Sequence, residues 1–143
     1  MDENKRKVLD FIKKKKLAVV STINFKGISE SALVAFSETD KLEIIFGTFK
    51  NTRKYKNLQN NKNISLVIGW DEEENITIQY EGLANEVKNK EFEECRIIQL
   101  NKNPNSKTYA FEKEQRYFKI SPKWIRYSNL SKEIEEIFEI KFN

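Results

Sequence analysis

Two hydroxyl groups and two cations lie close together at Thr48, Thr52, Arg53 and Lys54. The apolar run before Thr48 is typical of a strand, and a short amphipathic helix is predicted over 52–60. The start of a helix presents unpaired backbone N–H groups and the positive end of the helix dipole, and both favour an anion. A phosphate monoester carries about 1.5 to 2 negative charges near neutral pH. The cluster therefore predicts a phosphate site.

The same residues have a simpler interpretation. Thr52 caps the helix, and Arg53 and Lys54 are solvated, as is common at helix starts. The residues alone leave both interpretations open.

The 143-residue sequence contains no histidine. Ser-His-Asp and Cys-His catalysis, metal sites of the usual histidine-rich kinds and histidine-ligated haem all require that residue. We therefore expect a cofactor to supply any chemistry, with no metal site and no assignable catalytic residue. The single cysteine, Cys95, is expected to be a small buried apolar residue because no base can be named beside it.

Length and charge further limit the class of protein that this sequence can encode. The length suits one domain over residues 1–143. Lys and Arg total 26 against 22 Asp and Glu, and this mixed balance does not indicate a dedicated nucleic-acid binder. The first residues, DENKRK after Met1, lack the apolar core of a secretory signal, and no apolar run is long enough to span a membrane. We expect a cytoplasmic protein.

Residue periodicity predicts a mainly β protein. An N-terminal helix is expected after Asp2, a second helix over 52–60 and a third over 89–100, and a last helix is predicted after Ser131. Alternating residues predict strands over 17–24, 29–36, 42–48, 64–70, 76–87, 115–120 and 124–128. Strands in successive hairpins favour a closed antiparallel barrel with peripheral helices over a doubly wound sheet.

The segment from Phe46 to Trp70, FGTFKNTRKYKNLQNNKNISLVIGW, resembles a known flavin-phosphate segment. Its aromatic-x-Thr strand end, Thr-Arg-Lys cluster, Asn-Asn helix end and final Trp are similar to those of the pyridoxamine 5′-phosphate oxidase-like FMN-binding split-barrel family. The resemblance spans residues 17–88 and, more weakly, 116–128. It implies a Greek-key split barrel of six or seven antiparallel strands with an N-terminal helix, a short helix after the third strand and one or two later helices.

The resemblance also implies a set of FMN-binding positions at a homodimer interface. Gly47 and Thr48 would lie beside the flavin or its ribityl chain, and the Thr-Arg-Lys cluster would lie at the phosphate. Backbone groups along the second strand would meet the polar edge of the ring, and two polar residues of the fifth strand would face the ring system. The implied cofactor-binding residues are Leu33, Val34, Ala35, Gly47, Thr48, Thr52, Arg53, Lys54, Thr77 and Gln79.

Departures from the vitamin B6 oxidases limit the implied activity. Ala32 and Ser37 replace an Arg and a Lys, Ser128 replaces a late Trp, and the Arg-x-His element for the B6 substrate is absent. We therefore expect an FMN-binding oxidoreductase of unknown substrate, which takes electrons from a reduced nicotinamide or a small-molecule donor. The alternatives are a protein that binds deazaflavin or flavin without turnover, and a small β-barrel that binds nucleic acid.

Overall fold

The computed structural model describes residues 1–69, 71, 73–131, 133 and 135–143. Within them the helices and strands follow in the order α1 (Glu3–Lys13), β1 (Leu17–Ile23), β2 (Ser29–Glu38), β3 (Ile44–Phe49), α2 (Arg53–Asn60), β4 (Asn63–Ile68), β5 (Ile76–Glu86), α3 (Asn89–Lys102), a 3₁₀ turn (Pro104–Ser106), α4 (Lys107–Ala110), β6 (Gln115–Asn129) and β7 (Glu136–Lys141). None of the helices in this part of the chain is long and apolar enough to cross a membrane.

The strands form one antiparallel sheet in the order β3-β2-β1-β4-β5-β6-β7. A further pairing of β3 with β6 closes the first six into a barrel, and β7 extends the sheet beyond β6. The prediction of a mainly β split barrel with an N-terminal helix, a helix after the third strand and later helices is confirmed.

Alternating apolar side chains fill the barrel. Phe118 stacks on Phe46 with ring centroids 5.5 Å apart, and both are buried. The buried hydroxyl of Tyr80 lies 2.7 Å from the carbonyl oxygen of Leu42 and 3.1 Å from that of Ile120, so the one polar group on this large side chain is satisfied. This packing fixes the position of β3, which borders the candidate site.

The helix α1 packs its apolar stripe against the barrel, as its residue spacing predicts. Asp2 caps it, with the backbone N–H of Lys5 donating to Oδ1 at 2.8 Å. The buried stripe consists of Val8, Leu9, Phe11 and Ile12. The two apolar surfaces are removed from water together, and this burial is the main term that holds a short helix in place.

β6 is one continuous strand, although the sequence around Pro122 predicts two. The register with β5 shifts between Glu81 and Gly82, which face Trp124 and Pro122, so Lys123 is an extra residue on β6. Such a bulge lets a strand continue past a proline that cannot donate to the ladder.

The predicted helix after Ser131 is wrong, because this segment forms β7. Residues 136–141 pair antiparallel with β6, and Phe138 stacks on Tyr127 with ring centroids 4.8 Å apart while Ile140 is buried. A spacing of two therefore places these apolar side chains on the barrel, and pairing with the free edge of β6 overrides the helical pattern. Ile134 of the predicted stripe and Trp70 of the predicted fourth strand lie outside the described residues.

Candidate functional site

A cleft forms where β2 and β3 separate. The two strands pair only from Phe36 opposite Phe46 to Glu38 opposite Ile44. On the other side of Phe36, β2 stays paired with β1, while β3 follows β6 as far as Phe49. The gap has a volume of about 330 Å³, within the usual range for ligand sites, and is lined by Leu33, Val34, Ala35, Gly47, Thr48, Phe49, Thr52, Lys54, Gln99, Ser106, Tyr109 and Gln115.

Most of the sequence-predicted site residues line this cleft. They come from β2, from the end of β3 and from the start of α2, and they are Leu33, Val34, Ala35, Gly47, Thr48, Thr52 and Lys54. The strand-to-helix junction and the second strand therefore line the same cleft.

Thr52 caps α2 and also faces the cleft. The backbone N–H of Tyr55 donates to its Oγ1 at 3.3 Å, which confirms the capping interpretation. The same Oγ1 lies 2.8 Å from Oγ1 of Thr48. The cap and the hydroxyl cluster are therefore one feature, at the positive end of the α2 dipole.

Lys54 is the inner cation of the cluster. Its side chain is half-buried, and this burial lowers the pKa of its ammonium group. It forms no ion pair or hydrogen bond with any residue in the described part of the chain. A positive charge is therefore held at the cleft wall without a counter-ion among the described residues.

Arg53 lies on the outer side of the same helix turn. Its side chain is 73% exposed, and Nη1 is 3.2 Å from Oε2 of Glu30. Hydrogen bonds from Asn57 and Asn24, together with the charge of Arg53, hold the pKa of the Glu30 carboxyl below its usual range. Arg53 does not line the main cleft; it borders a smaller cavity of about 110 Å³ that Lys54 also reaches.

The free edge of β2 supplies backbone hydrogen-bonding groups to the cleft. The carbonyl oxygen of Ala35 accepts from Nε2 of Gln99 at 3.1 Å, so the backbone of Ala35 faces away from β1. Alternate residues of a strand turn their backbone groups to the same edge, and those of Leu33 therefore face the cleft as well. The backbone of Val34 faces β1 instead, and the contact of the second strand with a polar ring edge stays a prediction.

Thr77 and Gln79 do not line the cleft of their own chain. Both lie on β5, where Thr77 is half-buried and Gln79 is exposed. Gln79 is opposite Val67 of β4, which in turn is opposite Val19 of β1. These side chains share the outer surface of the barrel, and this surface continues to Leu33 at the edge of the cleft.

Sequence reasoning did not identify five of the lining residues, which are Phe49, Gln99, Ser106, Tyr109 and Gln115. Gln99 lies on α3, where the sequence predicts only that Cys95 is buried. Ser106 and Tyr109 come from the 3₁₀ turn and α4, a segment without clear periodicity. No local pattern places these residues beside β2, since the contacts join segments far apart in the sequence.

A family model described as pyridoxamine 5′-phosphate oxidase matches residues 5–129, which include every strand of the closed barrel. The chain belongs to this family. No curated protein matches the chain.

Solved structures share the split-barrel fold of this pyridoxamine 5′-phosphate oxidase family member. The heme binding protein from Mycobacterium smegmatis has a TM-score of 0.85 at 11% identity, covering 99% of this chain, which spans 59% of that protein. General Stress Protein 26 from Bacillus anthracis has a TM-score of 0.74 at 22% identity. The match covers 97% of this chain and 100% of that protein. HutZ, the heme storage protein from Vibrio cholerae, has a TM-score of 0.72 at 12% identity. The match covers 82% of this chain and 89% of that protein. These likenesses concern the fold.

Two of the positions at which this sequence differs from the B6 oxidases can be located in the structure. Ser37, which replaces a Lys, is buried and donates its hydroxyl to Oε1 of Gln99 at 2.8 Å. Ser128, which replaces a Trp, lies on β6 between Thr77 and Ile137. The hydrogen bond of Ser37 joins β2 to α3. It holds Gln99, which lines the cleft, through an uncharged pair of side chains.

Proposed function

We propose that this family member binds FMN noncovalently in the cleft, with the phosphate at the start of α2 and the ring along β2. The observation that carries the proposal is Lys54, a half-buried cation with no partner among the described residues. Removing a charge from water costs free energy unless an opposite charge compensates it. A phosphate at this position supplies that charge.

The residues around the cleft fit the parts of FMN. Thr48, Thr52 and Lys54 would hold the phosphate, and Arg53 would contribute from the rim. Backbone groups of Leu33 and Ala35 would meet the polar edge of the ring, beside Gly47. The cleft therefore offers an anion-binding end and a strand edge for a planar group.

We propose that a second copy of the chain completes the site. Four exposed apolar side chains, at Leu17, Val19, Leu33 and Val67, lie on β1, β2 and β4 beside Gln79. A copy packed on this face would bury them and bring the partner's Thr77 and the partner's Gln79 toward the cleft. This would account for site residues that do not reach the cleft of their own chain.

Bound FMN supplies electron transfer, which would make the protein a cytoplasmic oxidoreductase that accepts electrons from a reduced nicotinamide or another small donor. The chain would bind and orient the ring and limit the access of water. The alternatives are a deazaflavin in place of FMN, and a flavin-binding protein without turnover.

The decisive experiment is a visible spectrum of the purified protein, an FMN titration, and mass spectrometry of any molecule released on denaturation. We expect a flavin spectrum and released FMN. We expect Arg53→Ala combined with Lys54→Ala to weaken FMN binding about ten- to three-hundredfold, since the charge-assisted hydrogen bond of Lys54 is lost together with a weaker contact of the exposed Arg53. Lys56→Ala, on the exposed side of α2, is the matched control. A protein that stays colourless with added FMN, or that shows a haem spectrum, would contradict the proposal.

The dimer has its own test. Light scattering is expected to give twice the monomer mass for the wild-type protein and the monomer mass for Val19→Lys combined with Val67→Asp. The double variant is also expected to bind FMN more weakly, because the partner's residues are lost. A wild-type protein that is monomeric at micromolar concentration would rule out this arrangement.

A further inference from the structure

Gln115, the first residue of β6, has a buried side chain that lines the cleft and is 7% exposed. Its carboxamide forms no hydrogen bond with any side chain or backbone group of the described residues. The main chain is fixed, because its N–H donates to the carbonyl oxygen of Glu112 at 3.1 Å and its carbonyl accepts from Arg116 at 2.7 Å. The side chain is therefore an open donor and acceptor on a rigid strand.

Gly47 makes room for this carboxamide. A Cβ at position 47 would collide with Nε2 of Gln115 and would lie 3.0 Å from the ring of Tyr117. The amide therefore lies directly over the backbone of β3. Gly47 follows the last residue of β3 paired with β2 and precedes Thr48, so the amide is between the free edge of β2 and the hydroxyl cluster.

Gln99 is the informative comparison. Its side chain is as buried as that of Gln115 and lines the same cleft, yet Oε1 accepts from Ser37 and Nε2 donates to Ala35. The amide atoms of Gln115 are not among the described side-chain atoms that are both fully buried and unpartnered, so the amide reaches the open space of the cleft. Most polar side chains of residues this buried are hydrogen-bonded, and a ligand group in the cleft is within reach of this one.

We propose that the Gln115 carboxamide binds the uncharged hydroxyl chain of the molecule whose phosphate lies at Lys54, a role that rests on the proposed function. A hydroxyl group both donates and accepts, as a carboxamide does. The position over Gly47 is beside the anion end of the cleft, and it meets the part of the ligand between phosphate and ring. Gly47 then serves the ligand indirectly, by admitting Gln115.

The test compares FMN with riboflavin, which has the same hydroxyl chain and ring but no phosphate. Dissociation constants are measured by flavin fluorescence for the wild type, Gln115→Met, Lys54→Met and a control, Gln59→Met, on the exposed side of α2. We expect Gln115→Met to weaken both ligands by a similar factor of about tenfold, the effect of one or two neutral hydrogen bonds. Lys54→Met should weaken FMN alone, and Gln59→Met should change neither.

Thermal unfolding without ligand separates a binding role from a structural one. Gln115→Met keeps the side-chain length and removes an unpartnered amide, so the melting temperature is expected to stay the same or rise. Unchanged constants for both ligands in Gln115→Met, while the wild type binds FMN, would overturn the role of Gln115 and leave the proposed function intact. A wild-type protein that binds neither flavin would overturn both.

Discussion

Polar groups in the barrel interior have protein partners that two polar groups at the cleft wall lack in the described part of the chain. In the interior, the hydroxyl of Tyr80 lies between two carbonyl oxygens, and the amide of Asn57 donates to Thr22 at 2.9 Å and to Glu30 at 2.8 Å. In the cleft, Lys54 and Gln115 have no such partners among the described residues. The chain thus pairs these interior groups, and Gln99 at the cleft, but leaves Lys54 and Gln115 open to a ligand.

This difference indicates which residues reduce the stability of the fold in favour of ligand binding. Proteins often retain unfavourable groups at binding sites because function requires them. Tyr117 is an exception outside the cleft, because its buried hydroxyl has no partner in the described part of the chain, although its ring lies beside Gly47. Substitutions in the interior should therefore reduce stability, and substitutions in the cleft should reduce binding.

The largest expected effect is on the interior. Phe118 is buried between Phe46 and Tyr55, with ring centroids 5.5 and 5.7 Å away. Phe118→Ala should reduce the free energy of unfolding by about 3–5 kcal/mol, through lost transfer energy and a cavity. Chemical denaturation measures this, with Phe25→Ala at the exposed turn as the control, expected within about 0.5 kcal/mol of the wild type. Equal losses in the two variants would contradict the assigned core.

The second-largest effect is expected at Lys54, where a substitution should reduce ligand binding without reducing stability. Lys54→Met should weaken FMN binding about ten- to a hundredfold, because one charge-assisted hydrogen bond is lost. The free energy of unfolding without ligand should stay the same or rise, because a half-buried charge is removed. Calorimetry and denaturation of the same samples measure both quantities. A large loss of stability with unchanged FMN affinity would show that Lys54 has a structural role.

The third effect is a pH dependence of FMN binding. Burial lowers the pKa of Lys54, so its charge is lost at a lower pH than that of an exposed lysine. FMN affinity should therefore fall as the pH rises through this lowered pKa. The unliganded protein should gain stability over the interval from the lowered pKa to the ordinary one, because the unfolded state binds more protons there.

Titrations of FMN against pH measure this dependence, and riboflavin controls for titration of the ring. Lys54→Arg should move the loss of affinity to higher pH, because a guanidinium stays charged. The same pH profile for both proteins would mean that another group controls binding.

The sequence predicts the parts of the site that are local. Thr48, Thr52 and Lys54 lie within one strand-to-helix junction, where capping and residue type suffice to place them. Periodicity also predicts the first five strands, because their alternation reflects one face on the core. Both successes depend on residues close together in the sequence.

The remaining parts depend on contacts between distant segments. Gln115 reaches the cleft through its register opposite Phe49, and Gln99 reaches it through Ser37. Neither register can be derived from a local pattern. The helix predicted at the C-terminus is wrong for the same reason. That prediction rests on adjacent apolar residues such as Ile137 and Phe138, whereas pairing with the edge of β6 selects the strand spacing of Phe138 and Ile140.

The smallest expected effect concerns Arg53, the neighbour of Lys54 on α2. Its guanidinium is mostly exposed and already paired with Glu30, so a contact with phosphate would replace an existing interaction in water. Arg53→Met should weaken FMN binding less than about threefold, the range of an exposed ion pair. Titration beside Lys54→Met measures the contrast. If the two variants lose affinity equally, the phosphate lies on the outer side of α2, in the cavity shared by Arg53, Lys54 and Glu30. The open polar groups of the main cleft would then have to serve a different part of the ligand.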